Sequence, residues 1–271
     1  MLMKTTTQQS LLQLDAVCAR LGKKDFGPFN LTIAKAEKVA ILGPSGAGKS
    51  TLLKLLSREL KTSSGDIVFQ SRPLASWSLM ELSHLRAVLP QNSDVAFGLE
   101  TDLVISLGRV SRAHDPDLAN IVRQAAAMAH AAHLLGRRFD SLSGGEQARI
   151  QLARIFAQLW DQSNGLILVD EPLAALDPGL QFDLLASLEE YATERQHAIV
   201  AILHDINHAM QAFERLLLVK NGQLVADIAS NREAVPALED LYDIALTCMH
   251  NQEGDLLVTP LRASSRARKS A

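Results

Sequence analysis

The chain lacks most of the features that announce a function from composition. Its 271 residues include only two cysteines, Cys18 and Cys248, far apart and without metal-ligand spacing. That points away from a disulfide scaffold or a zinc cluster and toward a reduced, cytosolic setting. No apolar run approaches the ~18 residues that a membrane-crossing helix needs. The best candidates, Ala198–Leu203 and Gly165–Val169, are strand-sized. Met1 to Ser10 is polar and threonine-rich and has no apolar signal-peptide stretch. Charge of one sign is missing as well: 27 basic and 30 acidic residues leave a net charge of −3. There is no basic field for nucleic acid and no acidic excess of a disordered chain. No internal repeat is present. What remains is a chain 47% hydrophobic, enough for a sizeable core. It is expected to be soluble by itself, with any membrane role supplied by a partner.

Pattern then gives an outline. Leu11–Arg20 and Phe29–Ile33 read as amphipathic strands, the second bounded by a Gly27-Pro28 turn signal. Lys38–Leu42 is almost wholly apolar, as in a sheet covered on both faces. A glycine-rich loop follows it, then a helical stretch from Ser50 to Leu60 and a strand over Asp66–Gln70. Ser78 and Glu81 have capping-box spacing. From Asn92 to Gln158 strand signals vanish, with helical patterns at Asp117–Leu135 and Ser143–Trp160. Buried-type strands return at Gly165–Val169 and Ala198–Leu203, with a helix near Leu180–Tyr191 between them. Asn221-Gly222 joins Leu216–Lys220 and Gln223–Asp227 as a hairpin. The sum is an α/β fold with an inserted helical block. The expected division is a core of 11–91 and 161–235, a helical subdomain of 92–160, and a C-terminal extension of 236–271. The basic tail from Ser264 to Ala271 reads as frayed and solvated.

Three segments carry chemistry. Gly43-Pro44-Ser45-Gly46-Ala47-Gly48-Lys49-Ser50, followed by Thr51, fits G-x-x-x-x-G-K-[ST] between a buried strand and a helix. Its glycines let backbone N–H groups turn inward as a nest for phosphate oxygens at a helix N-terminus. Lys49 then reaches the β- and γ-phosphates, and the Ser50 hydroxyl is a Mg²⁺ ligand. Gly165–Val169 ends in Asp170-Glu171, acidic residues at the C-terminal end of a strand, where ligands bind in open α/β sheets. Asp170 suits the Mg²⁺ shell, and Glu171 suits a general base that polarises an attacking water. Leu142-Ser143-Gly144-Gly145-Glu146-Gln147 reads two ways. Ser143 and Glu146 form a capping box, yet two adjacent glycines inside a helix cost about 1 kcal/mol each and suit a second phosphate cradle.

On these segments the chain resembles the ABC ATPase family over residues 11–230. GPSGAGKS, Gln91, LSGGEQ, LILVDE, Ala175-Leu176-Asp177 and His204 stand in that family's order. The resemblance implies a P-loop NTPase (RecA-like) core, an N-terminal antiparallel β subdomain and an inserted α-helical subdomain. It implies ATP and Mg²⁺ as cofactors, with Gln91 touching Mg²⁺ or the attacking water and His204 contacting the γ-phosphate. Asp177 would lie at a dimer interface, and Ser143, Gly144 and Gly145 would meet the nucleotide held by the other protomer. The implied partners are a second copy, membrane permease subunits and, indirectly, a substrate-binding protein, with no nucleic acid. The implied location is the cytoplasmic face of the inner membrane. Two departures stand out. The family's adenine-stacking aromatic has Arg20 and Leu21 in its place, with Phe26 nearby, and the glycine before the P-loop strand is Ala36.

Arg86–Gln91 (RAVLPQ), Ala96-Phe97, Val104–Arg109 (VISLGR) and Leu152–Trp160 are similar to the hemin and siderophore importer branch, closest to hemin import. Ala96, Phe97 and Leu99 offer an apolar surface for a permease helix, the alternative being that Phe97 is core of the helical block. The alternatives are another importer, of cobalamin or a metal ion, or a soluble ABC ATPase; the chain has neither the paired cassettes nor the long coiled coils of the soluble members. His204 and His208 have the i, i+4 spacing of a helical metal pair without an evident third ligand. His130 and His133, in an alanine-rich setting, read as a helix face rather than ligands.

Overall fold

The computed structural model describes residues 10–91, 98–171, 177–251, 254 and 256–261. The chain opens with strands β1 (Ser10–Leu21), β2 (Lys24–Ala34) and β3 (Lys38–Leu42), then helix α1 (Lys49–Leu56). Next come β4 (Ser64–Phe69), β5 (Arg72–Pro73), α2 (Leu79–Leu85) and β6 (Arg86–Leu89). The helices α3 (Thr101–Ser106), α4 (Leu118–Met128) and α5 (Gly144–Gln158) follow. After them run β7 (Leu166–Asp170), α6 (Pro178–Arg195), β8 (Ala198–Ile202), α7 (Ile206–Ala212), β9 (Arg215–Lys220) and β10 (Gln223–Ala229). The last elements are α8 (Val235–Tyr242), β11 (Leu246–His250) and β12 (Leu256–Pro260). They gather into two compact units. One comprises residues up to Asp15, Asn30–Glu37 and Asp66–Ile199; the other comprises Ala16–Phe29, Lys38–Gly65 and the chain from Val200.

In the first unit, parts of four strands lie in the order β2-β1-β4-β5. β6 and β7 pair in parallel from Arg86↔Leu166 to Leu89↔Val169, and the start of β8 joins them through Ala198 N–H to the Gly165 carbonyl at 2.9 Å. The expected capping box is present: the Ser78 hydroxyl accepts from Glu81 N–H at 3.1 Å. α3 and α4 pack on α5, which buries Ile150, Leu152, Ala153, Ile155, Phe156 and Ala157. Tyr191 of α6 stacks on Phe156 with centroids 4.2 Å apart, and its hydroxyl donates to the Phe156 carbonyl. The VISLGR segment has a packing explanation. A Cβ at Gly108 would collide with the Arg154 carbonyl oxygen, so only glycine lets this turn lie against α5. Arg109 is buried and paired with Asp115 and Asp161.

In the second unit the order is β10-β9-β3-β8. β3 runs parallel to β9 from Val39↔Arg215 to Leu42↔Leu218. The β9–β10 hairpin turns on Asn221 (φ 52°) and Gly222 (φ 82°), the left-handed pair that an Asn-Gly turn supplies. α8 packs on β9, and α7 packs on β3 and β12.

The structure shifts several expectations. Gly27-Pro28 lies inside β2, not at its edge. α1 stops at Leu56 rather than Leu60, because Arg58 takes a left-handed φ of 61° and the Lys54 carbonyl accepts from Leu60 N–H instead. α4 ends at Met128, and His130 has φ 51°, so His130 and His133 share no α-helical face; both are exposed. β6, within RAVLPQ, is a strand that the pattern did not disclose. The C-terminal extension holds α8 and the β11–β12 hairpin, paired from Leu246↔Pro260 to His250↔Leu256. Ala96, Phe97, Pro172, Ala175, Leu176 and the Ser264–Ala271 tail lie outside the described residues.

Candidate functional site

In the second unit, β3 is fully buried from Val39 to Leu42 and delivers the chain into the 43–50 loop. A Cβ at Gly43 would overlap the Val219 carbonyl oxygen, which forces glycine where the loop leaves the sheet. Gly46 (φ 74°) and Gly48 (φ 106°) then curl the backbone through the left-handed region. Gly48 is the N-cap of α1, which has no side-chain cap and no acidic residue in its first turn. A helix start of this kind, with no capping side chain and at the positive end of the helix dipole, suits an anion. Lys49 is buried, with Nζ donating to the carbonyls of Gly43 at 2.8 Å and Pro44 at 3.1 Å. Ser50 and Thr51 follow on the first turn of α1.

The loop is braced from behind. A Cβ at Gly48 would come within 2.9 Å of the Phe26 ring, so Phe26, itself buried, is spent on packing under the loop rather than free to stack on a ligand. Gly222 N–H donates to the Ala47 carbonyl at 2.7 Å. Burial raises the pKa of the Tyr242 phenol on α8, against a smaller lowering by the Gly43 backbone beside it. Arg20 keeps its guanidinium flat against Asp25, with contacts of 2.6 and 3.3 Å, and stands exposed beside Leu21.

His204, exposed, follows β8. Asp205 caps α7 by accepting from His208 N–H at 2.9 Å, so His204 lies before the helix and His208 is buried within it. The helical metal pair is therefore not formed, and no group of three His, Cys, Asp or Glu suited to a metal occurs among the described residues. Asn207 clamps the C-terminal hairpin: its Nδ2 donates to the Val258 carbonyl at 3.1 Å and its Oδ1 accepts from Val258 N–H at 2.7 Å.

The first unit carries the acidic residues. β7 is buried from Leu166 to Val169 and ends at Asp170. Glu171 follows with φ 47°, a left-handed conformation that costs an L-residue roughly 1–2 kcal/mol and concentrates at functional positions. Gln91 Nε2 donates to Glu171 Oε2 at 3.2 Å, which joins two residues 80 positions apart that sequence reading had singled out separately. Ser143 is the N-cap of α5 in a complete capping box. Glu146 Oε2 accepts from Ser143 N–H at 2.8 Å and from its hydroxyl at 2.9 Å. Those bonds, with Arg137 at 3.0 Å, lower the Glu146 pKa. Asp177 caps α6 by accepting from Leu180 N–H at 3.0 Å.

The ABC transporter family model matches residues 26–174. The chain is 39% identical over 240 residues to the hemin import ATP-binding protein HmuV of Methylobacillus flagellatus, covering 86% of this chain and 88% of that one. It is 40% identical over 246 residues to the HmuV of Gloeobacter violaceus, covering 87% and 88%. This chain belongs to the ABC transporter family. Solved structures give the same fold for this ABC ATPase. One is an inward-facing ABC transporter assigned to the metal-chelate type (TM-score 0.80, 23% identity, 94% and 98% coverage). Another is a dimeric ATP-binding cassette in a post-hydrolysis state with ADP and Pi (TM-score 0.71, 23% identity, 81% and 99% coverage). No helix among the described residues of the ABC protein is long and apolar enough to cross a membrane. Motif reading missed Tyr242, Asn207 and the packing role of Phe26, because none belongs to a short pattern and each acts only through folded contacts.

Proposed function

We propose that this ABC ATPase powers uptake of hemin or a related iron complex through separate permease subunits, as a homodimer at the cytoplasmic face of the inner membrane. The observation that carries the cargo is the identity of 39–40%, over more than four-fifths of both chains, to proteins named for hemin import. A periplasmic or surface binding protein would deliver the cargo. Another importer cargo, such as a siderophore, cobalamin or a metal ion, is the second reading.

In the chemistry proposed, the Gly43–Gly48 backbone and Lys49 hold the β- and γ-phosphates, and Lys49 exchanges its carbonyl partners for phosphate oxygens. The Ser50 hydroxyl, the Asp170 carboxylate and the Gln91 amide oxygen are hard oxygen donors of the kind Mg²⁺ takes. When bound, Mg²⁺ neutralises charge on the phosphate oxygens. Glu171 accepts a proton from the attacking water, held in its orientation by Gln91. His204 contacts the γ-phosphate. Ser143, Gly144 and Gly145 meet the nucleotide of the second chain, and Asp177 lies at the interface. Arg20, held flat by Asp25, is the residue we assign to the adenine face.

The test is reconstitution with its permease subunits. ATPase stimulated by a hemin-loaded binding protein, and abolished in Glu171→Gln, supports both cargo and base. Stimulation by a ferric siderophore or cobalamin and not by hemin would replace the cargo. Full turnover in Glu171→Gln would remove the base.

A further inference from the structure

The two adjacent glycines of the 143–147 turn are not equivalent. A Cβ built on Gly144 meets nothing within 4 Å, whereas one built on Gly145 would overlap Leu180 Cδ2. Neither carries the positive φ found at Gly46 and Gly48, so backbone strain does not require glycine at either place. The space a side chain would take at Gly145 is instead occupied by the end of a neighbouring side chain, which an added Cβ would have to displace. Leu180 in turn is held by the Asp177 cap, whose carboxylate accepts its N–H at 3.0 Å. One turn further along both helices, Arg149 Nη2 meets Asp183 Oδ2 at 3.0 Å. The start of α5 and the start of α6 are thus fastened at two successive levels, first by the Leu180 side chain on bare Gly145 backbone and then by an ion pair.

We infer that Leu180 is a positioning residue for the signature turn: it seats in the space left by Gly145 and ties Ser143 to the helix capped by Asp177. The inference rests on reading residues 143–147 as the surface that meets a second chain's nucleotide. Ser143 and Asp177 then move as one body. Gly144, with open space before it, is left to face whatever docks from outside.

The experiment uses the full chain and compares Gly145→Ala, Leu180→Ala, the double variant and Gly144→Ala. Hydrolysis is followed against ATP concentration, and ATP-driven dimerisation by sizing chromatography. Single-chain nucleotide binding is read with a fluorescent ATP analogue. Gly145→Ala should lose turnover tenfold or more at unchanged single-chain affinity, and adding Leu180→Ala should recover at least threefold of that loss. Leu180→Ala alone should raise the half-saturating ATP concentration three- to tenfold. Gly144→Ala should lose turnover with no recovery from Leu180→Ala. A double variant no better than Gly145→Ala overturns the inference. If Gly145→Ala does not fold, Leu180→Ala decides alone, and an unchanged half-saturating concentration overturns it. A wild-type chain that binds ATP and never dimerises overturns the signature reading, and this inference with it, before any substitution is made.

Discussion

The P-loop and the signature turn are both glycine-rich starts of helices, yet the chain finishes them in opposite ways. At the P-loop, Gly48 caps α1 without a side chain, and left-handed glycines turn the backbone. At the signature turn, Ser143 caps α5 in a closed box, its N–H and hydroxyl both given to Glu146. In the function proposed, the first is an anion nest that a single chain completes. The second is satisfied by its own carboxylate, so a phosphate must displace or share Glu146 to use Ser143. The glycines differ to match: Gly46 and Gly48 serve backbone conformation, Gly145 serves a packed neighbour, and Gly144 serves neither. Two glycine-rich helix starts that look alike in sequence thus differ in how their caps are satisfied, which fits the proposed division into one site that binds alone and one that needs a second molecule.

The comparison breaks most decisively at Lys49. Lys49→Ala removes the cation from the proposed nest, and turnover should fall by roughly 100-fold or more, the scale of losing a preorganised electrostatic contact. Single-chain nucleotide affinity should fall with it. Parental turnover in Lys49→Ala, measured in the assembled transporter, would remove the P-loop assignment.

Ser143→Glu probes the other half. A second carboxylate beside Glu146 should repel phosphate and cost at least tenfold in turnover, while single-chain nucleotide binding stays at the parental value. Cooperative hydrolysis retained in Ser143→Glu would show that the signature turn does not act on another chain's nucleotide.

Acid tests the unit of the signature turn. His197, in the unit of the signature turn, is buried and accepts from Gly165 N–H at 2.9 Å through Nδ1. Burial, aided by Arg195, lowers its pKa to about 4. In the unfolded chain the imidazole titrates near pH ~6.5. Between those values the unfolded chain holds more protons, so stability should drop as pH falls through this window, by at most about 3 kcal/mol. His197→Asn should flatten that slope in melting curves recorded from pH 7 to pH 4. An identical slope in the variant would assign the acid sensitivity to other groups.

The smallest effect is expected at the turn before β3. Ala36 sits at φ 57°, where glycine carries no Cβ penalty. Ala36→Gly should stabilise the chain by up to about 1 kcal/mol, net of the added freedom of the unfolded state, or roughly 2–4 °C in melting temperature. A lower melting point would show that the turn tolerates alanine at no cost.

Local signals were legible where the physics is local. The buried strands β3, β7 and β8 appear as short apolar runs because they are covered on both faces. The Ser78 and Ser143 capping boxes need only residues three apart, and Asn221-Gly222 specifies its turn by its own φ preferences. β6 was hidden because its four residues are too few to show a period, and α8 with the β11–β12 hairpin carries no motif at all. The site divides along the same line. By itself the sequence determined that a glycine-rich loop between strand and helix, a strand-end Asp-Glu pair and a capped glycine turn exist, since each is encoded by neighbours along the chain. Only the tertiary structure decided that Gln91 reaches Glu171, that Phe26 is spent beneath Gly48, and that Leu180 lies in the space beside Gly145. Those facts are contacts between residues tens of positions apart, which the packing of the folded chain brings together and no local pattern records.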